Sequence, residues 1–172
     1  MSFTVEDGSG VAGANSYLDT AAADVYWADR NNADWAAASL LDKEATLIAA
    51  SQYLDATYRW KGRKGTSGQG LDWPRSGVVD DEGLSVGAGA LPAGLTAATA
   101  ELALEALAER LLPGRARGGA LKREMVKVDV VAEEQEYFEG APGGRSFPLV
   151  DRLLAGLIVG RAGNGTATLR RT

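Results

Sequence analysis

The side chains best suited to chemistry lie between Tyr58 and Arg75, where positive charges alternate with aromatic rings. The stretch has five positive charges against one negative charge, and these cations and rings are Arg59, Lys61, Arg63, Lys64 and Arg75 with Tyr58, Trp60 and Trp73. This composition is typical of a single-stranded nucleic-acid groove, in which bases stack on rings and phosphates contact cations. It also fits a loop that is pinned against the fold and meets a protein partner. The composition alone leaves both interpretations open.

Other chemistry has little support in the residue types. The chain has no cysteine and no histidine, which excludes disulfides, thiolate metal sites and Ser-His-Asp triads. The acidic triplet Asp80-Asp81-Glu82 lacks the spacing of a calcium loop. The glycine-rich stretch 62–68 follows a predicted helix, whereas a phosphate-binding loop follows a strand. We therefore expect no enzymatic activity, no metal site and no cofactor.

The composition is that of a globular protein, with 172 residues, 45% of them hydrophobic and 24% charged. No stretch reaches the roughly 18 apolar residues of a membrane span. The first residues lack the positive and apolar regions of a signal peptide. We expect a protein made in the cytoplasm, without a membrane partner.

The net charge of −5 hides an alternation along the chain. Residues 1–57 and 76–114 are acidic, whereas residues 58–75 and 140–172 are basic. Because duplex binding draws on many phosphate contacts from one basic face, binding of a polyanion over the whole surface is disfavoured. Oppositely charged segments can instead let identical subunits meet head to tail, and such a contact makes a ring when its rotation closes. The alternative is that these segments are simply solvated surfaces.

Hydrophobic periodicity predicts a mainly α protein, a small bundle of three to four helices. The predicted helices cover about 20–31, 42–59, 93–112 and a last one from about 148, with a short Ala-rich piece at 34–38. A long Gly-rich loop covers 62–91, and a β-strand or hairpin lies near the C-terminal third. The corresponding regions are an N-terminal arm, 1–14, a helical core, 15–112, and a strand-containing region with a docking segment and tail, 113–172.

Capping residues and buried positions follow from the same pattern. Asp19 or Thr20 is predicted to cap the first helix, and Asp42 the second. In the second helix Leu47, Ser51 and Leu54 share one buried face. The pattern extends this helix to residue 59, so that Arg59 and Lys61 lie at its negative end.

The later part of the chain contains an acidic stripe and a strand. Glu101, Glu105 and Glu109 have the spacing of one helix face, which is either solvated or opposed by a basic surface of a neighbouring subunit. Alternation over 126–130 predicts a strand whose apolar positions are Val126, Val128 and Val130. No second strand pattern is as clear, so we expect a neighbouring chain to pair with it.

Several short motifs, in this order and spacing, resemble a known family. They are Ala14-Asn15-Ser16-Tyr17, Lys43-Glu44-Ala45, Tyr53-Leu54-Asp55, Trp60-Lys61-Gly62 and Trp73-Pro74-Arg75-Ser76-Gly77. Over about residues 14–112 the chain resembles the head–tail adaptor, or connector, proteins of phages, prophages and gene transfer agents. Close relatives carry the label of DnaT-like single-stranded-DNA-binding proteins. The remaining C-terminal third matches only in layout.

The resemblance implies a virion structural protein of the head–tail neck, assembled in the bacterial cytoplasm. Its partners would be further copies of itself in a ring, typically of twelve, then the portal protein and a downstream neck or tail protein. DNA would pass through the ring without sequence-specific binding. The alternative function is binding of single-stranded nucleic acid, with Tyr58, Trp60 and Trp73 stacking on bases.

The adaptor interpretation gives each candidate residue a role. Tyr58, Trp60, Trp73 and Pro74 would anchor the loop. The five cations of 58–75, the acidic stripe and the strand valines would contact other subunits. By the family's layout, portal docking would fall to a C-terminal apolar set: Phe147, Leu149, Leu153, Leu154, Leu157 and Ile158.

Overall fold

The computed structural model describes residues 2–111 and 146–161, and in addition the backbone of two strands within 123–136. The chain divides into two compact units. The first comprises Met1–Leu111 and Phe147–Thr172, and the second comprises Leu112–Ser146. The described helices and strands of the first unit form around one hydrophobic core, so the candidate site residues before 112 and after 146 belong to it.

The described elements are helices with small antiparallel strand pairs. The helices are α1 Thr20–Ala28, α2 Ala33–Ala37, α3 Leu40–Thr57, α4 Ala93–Ala108 and α5 Pro148–Leu154. The strands are β1 Tyr58–Trp60, β2 Arg63–Lys64, β3 Arg75–Ser76, β4 Arg123–Val128, β5 Val131–Glu136 and β6 Ile158–Arg161. In the first unit β1 pairs with β6 and β2 pairs with β3. These elements are broadly compatible with the predicted mainly α fold, because helices predominate and the strand pairs are short.

The core forms where α3 and α4 pack against each other. Leu47 and Leu54 of α3 and Leu95 and Leu102 of α4 are fully buried, which confirms the predicted inward positions of Leu47 and Leu54. Each pair is seven residues apart, two helical turns, so the side chains lie on one face. Burial of side chains of this size contributes about 1.5–3 kcal/mol each. The α3–α4 pair is therefore the scaffold of this unit.

Local capping chemistry determines where the first helices begin. Asp19 caps α1 by accepting a hydrogen bond from the Ala22 N–H at 2.6 Å, as predicted. The predicted cap of α3 was wrong by three residues, because Ser39 is its N-cap and Asp42 is the third helical residue. Ser39 accepts from the Asp42 N–H, and its hydroxyl donates to the Asp42 carboxylate. Asp42 occupies the third helical position, where a capping box has glutamate, but its carboxylate accepts from the Ser39 hydroxyl.

The end of α3 differs from the prediction in a way that moves Arg59. Tyr58 is already extended and ends the helix, and Arg59 lies on β1. Strand β1 pairs antiparallel with β6, and Arg59 faces Gly160 in the register. The last predicted helix is correspondingly shorter, since α5 ends at Leu154 and a 3₁₀ turn leads into β6. The partner strands lie about a hundred residues apart in sequence, so no local pattern reveals them.

Two further predicted elements need correction. The predicted loop 62–91 contains the β2–β3 pair, in which Arg63 faces Ser76 and Lys64 faces Arg75. Helix α4 ends at Ala108 rather than near 112, because Glu109 is extended. Within the described residues, no helix is long and apolar enough to cross a membrane.

The second unit contains a β-hairpin, which is one of the two predicted forms, and only the expected pairing with a neighbouring chain needs correction. Strand β4 pairs antiparallel with β5 from Arg123↔Glu136 to Val128↔Val131. The partner strand reads Val-Ala-Glu-Glu-Gln-Glu, and its acidic residues mask the alternation that identifies a strand. Val126 and Val128 lie on β4, and Val130 lies outside the described residues. The chain thus supplies the pairing that we expected from a neighbour.

Candidate interaction surface around the basic loop

The aromatic rings of the basic stretch lie inside the fold. Tyr58 is 2% exposed, Trp60 7% and Trp73 0%. The two indole rings meet edge to face with centroids 5.9 Å apart, and the Tyr58 ring lies 6.1 Å from that of Trp60. Alternation along β1 places Tyr58 and Trp60 inward and Arg59 outward. Base stacking needs an exposed ring face, and none of these three rings offers one.

The loop between β2 and β3 is held by a residue that the sequence analysis missed. The Gln69 amide group donates to the carbonyl oxygens of Leu71 and Pro74 at 2.9 and 3.1 Å. Its oxygen accepts from the Thr66 N–H at 2.9 Å. Pro74 is buried and follows a cis peptide bond. A glutamine in a glycine-rich stretch gives no sequence signal of this role, because its hydrogen-bond partners are all backbone groups.

A second anchor joins the loop to α3 through the Asp55 carboxylate and the Tyr17 hydroxyl. The Tyr17 hydroxyl donates to Asp55 Oδ1 at 2.5 Å and accepts from the Asp72 and Trp73 N–H groups. Asp55 Oδ2 accepts from the Asp72 N–H at 3.0 Å. Burial raises the pKa of Asp55 to about 6, against the opposing effect of the Tyr17 hydrogen bond. This cluster fixes the backbone on which Trp73 enters the core.

Three of the five cations bond within the chain. Lys61 Nζ lies 2.9 Å from Asp81 Oδ1, and Lys64 Nζ lies 2.9 Å from Asp72 Oδ1. The Arg75 guanidinium donates to the carbonyl oxygens of Lys61, Gly62 and Asp72 at 2.7–3.1 Å. Partly exposed pairs such as these contribute little stability, but they reduce the charge that a partner would meet.

Arg59 and Arg63 remain exposed, on β1 and β2 respectively. No carboxylate of the described residues forms an ion pair with either of them. Of the five cations of the basic stretch, three therefore bond to other groups of the same chain, and two are available to a partner.

The chain was compared with protein-family models, with curated proteins and with solved structures. A family model described as "Putative DnaT-like ssDNA binding protein" matches residues 1–172. The chain belongs to this family. No curated protein and no solved structure matches. The description agrees with the alternative interpretation of the sequence, nucleic-acid binding, and nothing in the comparisons supports a head–tail adaptor.

The acidic stripe of this DnaT-like family member does not form one surface. The Tyr26 hydroxyl donates to Glu101 Oε1 at 2.7 Å, which joins α1 to α4. Burial, with help from the adjacent Glu101 carboxylate, raises the pKa of Tyr26 to about 12. Glu105 lines a groove beside α4, and Glu109 lies beyond the helix end. The predicted role of these residues in subunit contacts stays a prediction, and Glu101 already has a partner inside the fold.

Most of the predicted docking set lies in or against the core. Phe147, Leu154 and Leu157 are buried, and the Phe147 ring meets Tyr53 edge to face at 5.6 Å. The partly buried side chains of Leu153 and Ile158 pack against the same core. Leu149, which is 55% exposed, is the member that a partner can reach. The prediction that this segment docks is untested, but its buried side chains are engaged within the chain.

The C-terminal strand is held by a polar cluster that was not predicted. Asp151 accepts from the Tyr58 hydroxyl at 2.6 Å and from Arg161 Nη2 at 2.7 and 2.8 Å. Burial and the Asp151 hydrogen bond raise the pKa of Tyr58. The cluster thus connects β1, α5 and β6 beside the basic loop.

The acidic triplet has structural roles. Asp80 Oδ1 accepts from the Glu82 and Leu84 N–H groups and closes a turn, while Asp81 pairs with Lys61. Among the residues that the structure describes, no group of three or more His, Cys, Asp or Glu side chains could hold a metal ion.

Proposed function

We propose that the protein is a structural subunit that works through protein–protein contacts, in the role of a head–tail adaptor. On this proposal copies form a ring, of twelve by the resemblance, beneath a phage or gene-transfer-agent portal. The ring extends the DNA channel and receives a neck or tail protein on its other side, with no catalytic step. The observation that carries the proposal is the burial of Tyr58, Trp60 and Trp73, because rings inside the core cannot stack on bases.

The charge balance supports the same conclusion. Each phosphate contact on a single strand contributes about −0.7 to the slope of log affinity against log salt. Arg59 and Arg63, the two unpaired cations of the basic stretch, would together give a slope of only about −1.4. The chain as a whole carries a net charge of −5. A channel that lets DNA slide needs little attraction for it, and this balance suits that requirement.

Single-stranded nucleic-acid binding is the second candidate function. The family description, matched over the whole chain, favours it. On this alternative Arg59 and Arg63 contact phosphates together with further cations of the chain. Aromatic stacking on the three buried rings is not part of it. The oligonucleotide affinity would then fall more steeply with salt than the slope of about −1.4 that the two arginines alone supply.

One experiment separates the two candidates. The purified chain is mixed with a candidate portal protein from the same source and imaged by electron microscopy, and a labelled oligothymidylate is titrated in parallel between about 50 and 200 mM salt. The adaptor proposal expects stacked rings on the portal and little oligonucleotide binding. Absence of any portal complex, together with oligonucleotide binding that falls steeply with salt, would establish the second candidate instead. Arg59→Ala/Arg63→Ala is the matched variant, since it removes the two free cations and leaves the anchored ones in place.

A further inference from the structure

The first unit has a groove between its α2–α3 corner and the last two turns of α4. The groove has a volume of about 760 Å³. Its apolar lining comes from Ala37, Ala38, Ala45, Leu104 and Leu107. Leu40 and Leu41, in the adjoining first turn of α3, are 61% and 77% exposed. A groove with an apolar lining beside exposed leucines is a surface suited to a partner.

The polar residues of the groove carry negative charge. Asp34 and Asp42 line it and are exposed. Asp42 accepts a hydrogen bond from the Ser39 hydroxyl, which leaves its charge in place. Lys43, the next residue on α3, is held by Asp24 at 2.8 Å. Arg110 lies beyond the end of α4 and does not line the groove. The groove therefore offers the negative charges of Asp34 and Asp42 above an apolar floor.

The complementary surface lies at the other end of α3. Helix α3 has 18 residues, which corresponds to a length of about 27 Å. Asp42 is in its first turn, whereas Arg59 lies on β1, two positions after the last residue of α3, and Arg63 lies on β2. One chain cannot bring its own arginines into its own groove across that distance. Two copies can, because each presents one surface at each end of the helix.

We propose that the groove holds Arg59 and Arg63 of a second copy, in a head-to-tail contact. The arginine stems lie on the alanine and leucine floor, and the guanidinium groups pair with Asp34 and Asp42. Because this contact joins two different surfaces, it repeats and closes into a ring or continues as a filament. This inference rests on the proposed function only where it chooses a closed ring over a filament. The assignment of a second copy to the groove follows from the charges of the two surfaces.

Charge reversal tests the contact on both sides. Asp34→Lys/Asp42→Lys and Arg59→Glu/Arg63→Glu should each weaken association between copies by at least about tenfold. The four substitutions in one chain restore opposite charges and should recover association. Asp29→Lys/Glu82→Lys is the matched control, since both residues are exposed and lie off the groove. Thermal denaturation checks that every variant is folded.

Two readouts keep the contact separate from the adaptor role. Sedimentation at high protein concentration and low salt measures association of copies without portal, and electron microscopy measures rings on the portal. Loss in each reversed variant with recovery in the fourfold variant supports the contact. Unchanged association in the reversed variants overturns it, as does loss without recovery, which would indicate a different occupant. If copies associate but form no complex with the portal, the contact is supported and the adaptor role is rejected. If the wild-type chain associates in neither readout, both proposals are overturned.

Discussion

Acidification should stabilise this protein through Asp55, contrary to the usual behaviour of a hydrogen-bonded carboxylate. Burial holds the pKa of Asp55 at about 6 in the folded chain, whereas an unfolded chain has a value near 3.8. Between these two values the folded state binds a proton that the unfolded state does not bind. Stability must therefore rise as the pH falls through 6, and the gain is complete below about 4.

The size of the effect follows from the shift. One pKa unit corresponds to about 1.4 kcal/mol. A shift of about two units can therefore change the free energy of unfolding by at most about 3 kcal/mol. Between about pH 7.5 and about pH 4.5 the linkage relation gives about 2 kcal/mol of added stability from this group alone. Other carboxylates titrate in the same range, so the effect is best measured as a difference from Asp55→Asn, which cannot titrate there.

The assay is urea unfolding followed by tryptophan fluorescence at several pH values. The free energy of unfolding of the wild-type chain should rise by about 2 kcal/mol relative to Asp55→Asn between the two pH limits. Asp24→Asn is the opposite control, because hydrogen bonds from Lys43 and Trp35 lower the pKa of Asp24 and its contribution is lost as the pH falls. A wild-type minus Asp55→Asn difference that stays constant with pH would refute the argument.

Other predictions concern backbone fit and buried anchors. Gly62→Ala and Gly77→Ala both place a side chain at φ near +70°, which costs roughly 1–2 kcal/mol. Gly62→Ala should lose more in thermal denaturation, because a Cβ there would meet the backbone of the facing strand, whereas Gly77 has open space. Asp151→Ala should accelerate amide hydrogen exchange in β6, since it removes the partner of Arg161, while exchange in α3 stays unchanged. Trp73→Ala should lower the free energy of urea unfolding by roughly 3–5 kcal/mol, and a stability close to wild type would reopen the stacking interpretation.

Local sequence pattern was sufficient where structure depends on neighbours along the chain. Leu47 and Leu54 share a face because they are two helical turns apart, and that spacing is visible in the sequence. Asp19 caps α1 through a bond to a residue three positions later. Predictions of this kind fail only by a few residues, as at Ser39, which is the cap three positions before the predicted Asp42.

Contacts between distant segments carried no such signal. Strand β1 has three residues and acquires its conformation from β6, about a hundred positions later. The same distance separates Tyr58 from its partner Asp151. The Tyr17–Asp55 hydrogen bond spans 38 positions. Each contact depends on how the helices pack, and a single sequence does not reveal that packing.

The basic loop shows why composition could not choose between two functions. Cations alternating with aromatic rings have the same sequence pattern whether the rings lie in a groove or in a core. In this fold the alternation is that of β1, which has one face toward the core, so Tyr58 and Trp60 are buried while Arg59 is exposed. Two unpaired arginines on a chain of net charge −5 make a weak site for a polyanion but can complement an acidic groove on another copy. Two measurements distinguish these functions. Binding to a nucleic acid shows as a steep fall of oligonucleotide affinity with salt. A protein contact to Asp34 and Asp42 should disappear on charge reversal of one surface and return when the charges of both surfaces are exchanged.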